Sequence, residues 1–93
     1  MEQRVRENAA QHRFELPLKD GLFAAAYYRI EDGRVVLIHT EVPSEFSGQG
    51  IASELATQVF ELLRQTGRKA ILKCSFMTKF FARHPEYKDV VEG

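Results

Sequence analysis

A short stretch in the middle of the chain, residues 45–53, carries two glycines separated by a single residue and leads into an amphipathic pattern. Where such a loop opens a helix, several backbone N–H groups lack an intrahelical partner and meet the positive end of the helix dipole. Because Gly48 and Gly50 have no Cβ atom, a phosphate group can approach this backbone closely. The stretch therefore predicts either a pyrophosphate site or a tight turn whose glycines only let the chain bend from strand to helix.

The residues around these glycines depart from two common phosphate-binding motifs. A Walker A loop requires Gly-Lys-Ser/Thr, which this chain lacks. The dinucleotide motif has a third glycine where this chain has Ser53, and an acidic residue about 20 positions further on. In that region the chain has Arg68, Lys69 and Lys73 instead, so NAD is not the expected ligand.

A second clue is the charge of segment 62–85, which contains no Asp or Glu. A basic segment near a phosphate site would suit a polyanionic cofactor, although basic side chains also commonly form a solvated surface. Its six basic residues are Arg64, Arg68, Lys69, Lys73, Lys79 and Arg83.

Two further residues are candidates for acid–base chemistry. His39 and Glu41 are two positions apart in a β-branched stretch, so their side chains should share one face of a strand. Either one could accept the proton of an incoming ammonium group. The alternative is a histidine half-buried in the sheet and a glutamate that faces solvent.

The single cysteine, Cys74, ends a predicted buried strand just before a helix. A thiol at a helix N-terminus and beside Lys73 can have a lowered pKa and be reactive, whereas a lone buried cysteine is commonly an inert small hydrophobe. Tyr87, after the last helix, is a candidate proton donor or a residue that packs its ring in the core.

The elements that must hold these residues change period at Gly48. Before it, polar and apolar residues alternate and Asp32-Gly33 marks a hairpin turn, which predicts an antiparallel meander. After it, apolar spacing predicts a helix over residues 50–65 that stops at Gly67. A last helix follows with Ser75 as its N-cap. The expected strands cover residues 5–8, 13–16, 22–30, 34–42 and 69–74.

This order of elements predicts an α+β fold with a mixed sheet. An antiparallel meander comes first, then one right-handed β-α-β crossover with parallel strands, and then a C-terminal helix. The 93 residues suffice for one domain, residues 1–93.

Composition excludes several function classes. The 13 basic and 13 acidic residues balance, so we expect no binding to nucleic acid or membrane through overall charge. No apolar run approaches the roughly 20 residues that span a bilayer. A lone cysteine and no secretory signal favour a cytoplasmic location. We expect no metal site, and the sequence does not determine the oligomeric state.

Four stretches in order resemble the GNAT N-acetyltransferase superfamily, and more closely its small stand-alone members. They are LIHTEVP at residues 37–43, GQGIA at 48–52, KCSF at 73–76 and RHPEY at 83–87. The acetyl-CoA signature of that superfamily is Gln/Arg-x-x-Gly-x-Gly/Ala, and this chain departs from it at Glu45.

The resemblance implies a minimal GNAT-like fold in which the crossover strands splay apart and the pantetheine arm of acetyl-CoA enters the gap. It implies that Cys74 lies near the thioester, and that Cys74, His39 and Glu41 are the catalytic candidates. The implied cofactor-binding residues are Glu41, Val42, Gly48, Gln49, Gly50, Ile51, Ala52 and Ser53.

The function implied is an acetyl-CoA-dependent N-acetyltransferase that acts on an amine-bearing substrate. The usual reaction of such enzymes is direct attack of an amine on the acetyl carbonyl, with binding and orientation supplying much of the rate. The alternatives are a CoA-binding module without efficient catalysis and a small protein-interaction domain. The acceptor amine itself is not determined by the sequence.

Overall fold

The computed structural model describes residues 4–92, which form one five-stranded sheet with two helices. The strands are β1 (Arg6–Asn8), β2 (Arg13–Pro17), β3 (Phe23–Glu31), β4 (Arg34–Glu41) and β5 (Ala70–Leu72), and the helices are α1 (Ile51–Gln65) and α2 (Ser75–Arg83). Single turns of 3₁₀ helix cover Ala9–Gln11, Lys19–Gly21, Ser44–Phe46 and Pro85–Tyr87.

The sheet follows chain order, β1-β2-β3-β4-β5. The first four strands pair antiparallel, and β5 pairs parallel to β4 with Val35 opposite Ala70 and Leu37 opposite Leu72. The predicted meander and parallel crossover are both confirmed. The hairpin between β3 and β4 turns at Asp32 and Gly33, whose positive φ angles of 52° and 77° are those of the expected tight turn.

Both helices contribute to one core with the strands. Side chains of α1 and α2 pack with those that β2, β3 and β4 direct to the same face, including Phe14, Leu37, Phe60 and Met77. The opposite face of the sheet, called here the outer face, carries the side chains of the alternate positions.

The ends of the helices follow from local capping. The N–H of Arg68 donates to the carbonyl of Leu63, and that of Gly67 to the carbonyl of Arg64, so Gly67 (φ 70°) ends α1 in a Schellman motif as expected. The expected cap of α2 differs. Cys74 occupies the N-cap position, without a side-chain cap bond, and Ser75 is the first helical residue. Because the chain already enters α2 at this point, β5 ends at Leu72 rather than at residue 74.

A bulge in β4 determines which residues face the core. Tyr28 lies opposite Leu37 and Tyr27 lies opposite His39, so Ile38 is the extra residue. The extra residue shifts the alternation by one, so that Leu37 and Thr40 both face the helices while His39 lies on the outer face. Without the bulge, His39 and Glu41 would share the core face with Leu37.

Candidate functional site

The parallel strands β4 and β5 pair along the whole of β5 and then separate. Their last pairing is Leu37 with Leu72, followed by a hydrogen bond from the Lys73 N–H to the Leu37 carbonyl (2.9 Å). Strand β4 then continues to Glu41, whereas the segment that follows β5 turns into α2. The result is a gap between β4 and the start of α2, as the sequence interpretation expected of a splayed crossover.

One side-chain contact crosses this gap. The Oγ1 of Thr40 lies 3.2 Å from the Sγ of Cys74, and the two residues are 34 positions apart in sequence. Along β4, residues whose side chains share one face also direct their backbone N–H and C=O groups to the same edge of the strand. Thr40 lies opposite core-facing Ala26 and therefore faces the core. Its backbone N–H and C=O thus point toward the gap. Sequence reasoning missed Thr40, whose backbone groups lie at this edge. The same alternation directs the backbone of the predicted Glu41 toward β3 and that of the predicted Val42 back toward the gap.

The loop before α1 presents a set of free amide groups. Gly48 and Gly50 have φ angles of 78° and 74°, and Gly50 is the N-cap of α1 without a side-chain cap. The first helical hydrogen bond runs from Glu54 N–H to the Gly50 carbonyl. Across residues 4–92, no acceptor takes the N–H of residues 48–53. These amides lie at the positive end of a four-turn helix, which is a suitable geometry for an anion.

A cleft of about 350 Å³ lies beside this loop. Its walls come from Val42, which follows β4, from the glycine loop, from the first turn of α1 and from the start of α2. The residues that line it are Val42, Phe46, Ser47, Gly48, Gly50, Ile51, Ala52, Ser53 and Phe76. Six predicted cofactor-binding residues therefore surround one cavity. Gln49 belongs to the same loop, and Glu41 precedes Val42 at the end of β4.

His39 and Glu41 form a pair on the outer face beside the gap. The Nε2 of His39 lies 3.1 Å from the Oε2 of Glu41, and their side chains are 57% and 61% exposed. The His39 ring also stacks on Tyr27 with a centroid distance of 5.9 Å. The predicted shared face is confirmed. The carboxylate can hold the imidazole in one orientation, and a positioned side chain is what general base catalysis requires.

Cys74 is only 7% exposed and packs in the core cluster. Its position at the N-terminus of α2, against the Thr40 hydroxyl, places it at the mouth of the gap. This geometry accommodates both a thiol that touches a bound thioester and one that only fills the core.

The basic segment divides into two groups in the fold. Arg64 donates to the carboxylate of Asp89, and Lys69 donates to the main-chain carbonyl of the same residue. Arg68 binds the carboxylate of Glu7 through two hydrogen bonds of 3.1 and 2.9 Å. Arg64 lies near the opposite end of α1 from the glycine loop, about 20 Å away at the helical rise. These three cations therefore stabilise the far end of the fold and are not part of the cleft.

Tyr87 is also remote from the cleft. It is buried, stacks on Phe60, and donates its hydroxyl to Glu61 Oε2 at 3.0 Å. Burial, together with that hydrogen bond, raises the pKa of Tyr87. This position matches the packing role predicted for Tyr87. A residue that donates a proton in the reaction would have to lie at the gap.

Other classes of site are not evident in the part of the chain that is described. Residues 4–92 contain no group of three or more His, Cys, Asp or Glu side chains arranged to hold a metal ion. Neither helix within these residues is long and apolar enough to cross a bilayer.

Comparison with known proteins identifies relatives of this chain. It is 35% identical over 63 residues to Protein NATD1 of Homo sapiens, which covers 67% of this chain and 56% of that protein. It is 31% identical over 88 residues to Protein NATD1 of Danio rerio, covering 90% and 80% respectively. For Protein NATD1 of Xenopus tropicalis the identity is 39% over 51 residues, covering 55% of this chain and 47% of that protein. The chain thus spans about half the length of several of these relatives.

A solved structure and a family model agree with these relatives. The solution structure of a GCN5-like putative N-acetyltransferase from Staphylococcus aureus matches with a TM-score of 0.71 and 26% identity, over 97% of this chain and 88% of that one. The family model described as GCN5-related N-acetyl-transferase matches residues 13–90, which include the glycine loop, the strand gap and both helices. The chain therefore belongs to the GCN5-related N-acetyltransferase family.

Proposed function

We propose that this chain binds acetyl-CoA and transfers its acetyl group to an amine. The observation that carries the proposal is the cleft that the glycine loop, with its free amides, shares with Val42, which follows β4, and with Phe76 at the start of α2. One end of that cleft suits a pyrophosphate, and the rest is walled by Val42, Ile51 and Phe76 and suits an uncharged arm.

Open space in front of the glycine loop supports the binding of coenzyme A. A Cβ atom built on Gly48 or Gly50 meets no atom within 4 Å, so the space in front of this backbone is open. Amides of residues 48–53 would hold the pyrophosphate. Backbone groups of Thr40 and Val42 would pair with the amides of the pantetheine arm. When bound, acetyl-CoA supplies an activated acyl group as a thioester.

The two faces of the sheet would divide the work. The glycine loop and the cleft lie on the helix side, whereas the His39–Glu41 pair lies on the outer face beside the gap. An acceptor that approaches from the outer face would pass this pair first. His39, oriented by Glu41, would take the proton from the acceptor ammonium. The acceptor nitrogen would then form the C–N bond as the C–S bond breaks, and the second proton that this nitrogen gives up would go to the leaving sulfur, which departs as the CoA thiol.

The decisive test is a calorimetric titration with acetyl-CoA followed by a turnover assay. We expect saturable binding of acetyl-CoA and no binding of NAD at the same concentrations. Turnover is followed as release of CoA thiol with a lysine-containing peptide, a free peptide N-terminus or a polyamine as the acceptor. Binding without turnover for any amine would instead support the CoA-binding module, and absence of binding would refute the proposal.

Variants separate the base from the cofactor site. His39→Gln and Glu41→Gln should lower kcat and change its dependence on pH, with the affinity for acetyl-CoA unchanged. His12→Gln is the matched control, because His12 is also an exposed, stacked histidine but packs on Tyr28. Equal turnover rates for the parent, His39→Gln and Glu41→Gln would exclude this pair as the base.

A further inference from the structure

The six basic side chains of segment 62–85 differ in their partners. At the far end of α1, Arg64 and Arg68 pair with the carboxylates of Asp89 and Glu7, and Lys69 donates to the main-chain carbonyl of Asp89. Within residues 4–92, Lys73, Lys79 and Arg83 are exposed and form no hydrogen bond or ion pair through their side chains. Two of these three cations, Lys79 and Arg83, lie on α2, the helix whose Phe76 lines the cleft.

The cations on α2 lie along one flank of the helix. Phe76 lines the cleft, and Lys79 and Arg83 follow three and seven residues later, close to one and two helical turns. Met77 and Phe80, which point to the core, occupy the adjacent face. The basic flank therefore begins at the cleft and extends about 10 Å from it at the helical rise.

We propose that Lys79 and Arg83 bind a phosphomonoester, namely the 3′-phosphate of coenzyme A, and so select that cofactor over forms that lack this phosphate. The proposal rests on the proposed function, because the pyrophosphate must first occupy the glycine loop. A phosphomonoester carries a charge of about −1.5 to −2 at neutral pH, which is more than a pyrophosphate diester presents at one phosphorus. Arginine binds such a group through paired N–H donors and lysine through a point charge.

The glycine loop and this flank would have different tasks. The loop offers uncharged N–H groups at a helix N-terminus and suits the pyrophosphate that many nucleotide cofactors share. The two side chains on α2 offer full charges. The loop would therefore provide affinity for the common part, and the flank would provide discrimination.

The test compares two ligands that differ only in that phosphate. Coenzyme A and 3′-dephospho-coenzyme A are titrated calorimetrically into the parent, Lys79→Ala, Arg83→Ala and the double variant. Lys88→Ala is the matched control, because Lys88 is exposed and its side chain is likewise unpaired, but it follows the Pro85–Tyr87 turn near Asp89. Melting curves verify that all variants are folded.

We expect the parent to prefer coenzyme A by about threefold to thirtyfold, the range for two exposed charge pairs. The double variant should lose most of that preference while its affinity for the dephospho form stays unchanged, and Lys88→Ala should behave as the parent does. The preference should also shrink as salt is raised from low to physiological concentration and above.

Three outcomes would overturn the inference. Equal affinity of the parent for both ligands would show that no residue binds the 3′-phosphate. A preference retained in the folded double variant would assign that phosphate to other residues, and would leave these cations for an acidic protein partner. Binding of neither ligand by the parent would refute the proposed function itself, which is distinguishable from the first two results because they require binding.

Discussion

Two glycine variants, one at each end of α1, distinguish a loss of stability caused by backbone strain from a loss of phosphate binding. Gly50 precedes α1 with φ 74° and Gly67 follows it with φ 70°; both are exposed, and a Cβ on either meets no atom within 4 Å. An L-residue in this conformation costs about 1–2 kcal/mol, and alanine recovers about 0.4–1 kcal/mol by restricting the unfolded chain. We therefore expect Gly50→Ala and Gly67→Ala each to lower the free energy of unfolding by about 1 kcal/mol, a decrease in Tm of about 4–8 °C.

Binding should distinguish the two variants, although their stabilities should be alike. The methyl group at position 50 stands among the free amides of the glycine loop, where it would keep a phosphate from at least one N–H. A hydrogen bond to a charged group contributes about 1.5–3 kcal/mol, so Gly50→Ala should weaken acetyl-CoA binding by about tenfold to a hundredfold. Gly67→Ala should bind as the parent does.

The assays are urea unfolding for stability and calorimetric titration for affinity, on the same preparations of the parent and both variants. Loss of affinity in Gly67→Ala as large as in Gly50→Ala would mean that general destabilisation explains the effect. Unchanged affinity in a folded Gly50→Ala variant would refute the assignment of this loop as the pyrophosphate site.

Three more predictions follow from the contacts. If transfer to the amine is direct, Cys74→Ala should keep most of the turnover. Intact-mass spectrometry should then find no acetyl group on the parent after incubation with acetyl-CoA alone. An acetylated parent together with an inactive alanine variant would instead show a covalent step at this thiol. Hydrogen bonds from Asn8 and Arg13 lower the pKa of buried Glu15 from 4.5 to about 2. Because the folded-state pKa is the lower one, this stabilisation is complete above about pH 4.5 and is lost as the pH falls toward 2, so Glu15→Gln should flatten the pH dependence of unfolding in that window. Arg68→Met should lower stability by about 1–2 kcal/mol, because it leaves the half-buried carboxylate of Glu7 with the Tyr28 hydroxyl but without its charged partner. Acetyl-CoA affinity should be unchanged, and a large loss of affinity would contradict the division of the basic segment.

Features set by neighbours in sequence were predictable. The stop of α1 at Gly67 needs only a residue that tolerates positive φ, and the hairpin at Asp32-Gly33 needs only a turn of the matching twist. The glycine loop belongs to the same class, since a strand, two glycines and an amphipathic helix in succession already define where free amides will lie. The parallel pairing of β4 with β5 followed from the helix between them.

Features set by pairing register were not predictable. Alternation places His39 and Glu41 on one face of β4, and the structure agrees, but alternation counted from buried Leu37 would direct both into the core. The bulge at Ile38 reverses that outcome, and no local signal such as glycine marks it in the sequence. The same shift brings Thr40 to Cys74, a contact between residues 34 positions apart.

The basic segment shows why a run of charge does not define a binding surface. Counted along the chain, Arg64 and Lys79 belong to one cluster without acids, which suggested a single polyanion site. In the fold, the acids that neutralise Arg64 and Arg68 come from Asp89 and Glu7, which lie outside the segment at either end of the chain. Pairing removes the charge at the far end of α1 and leaves it on α2, so the surface that can attract a phosphate is determined by which cations the fold leaves without partners.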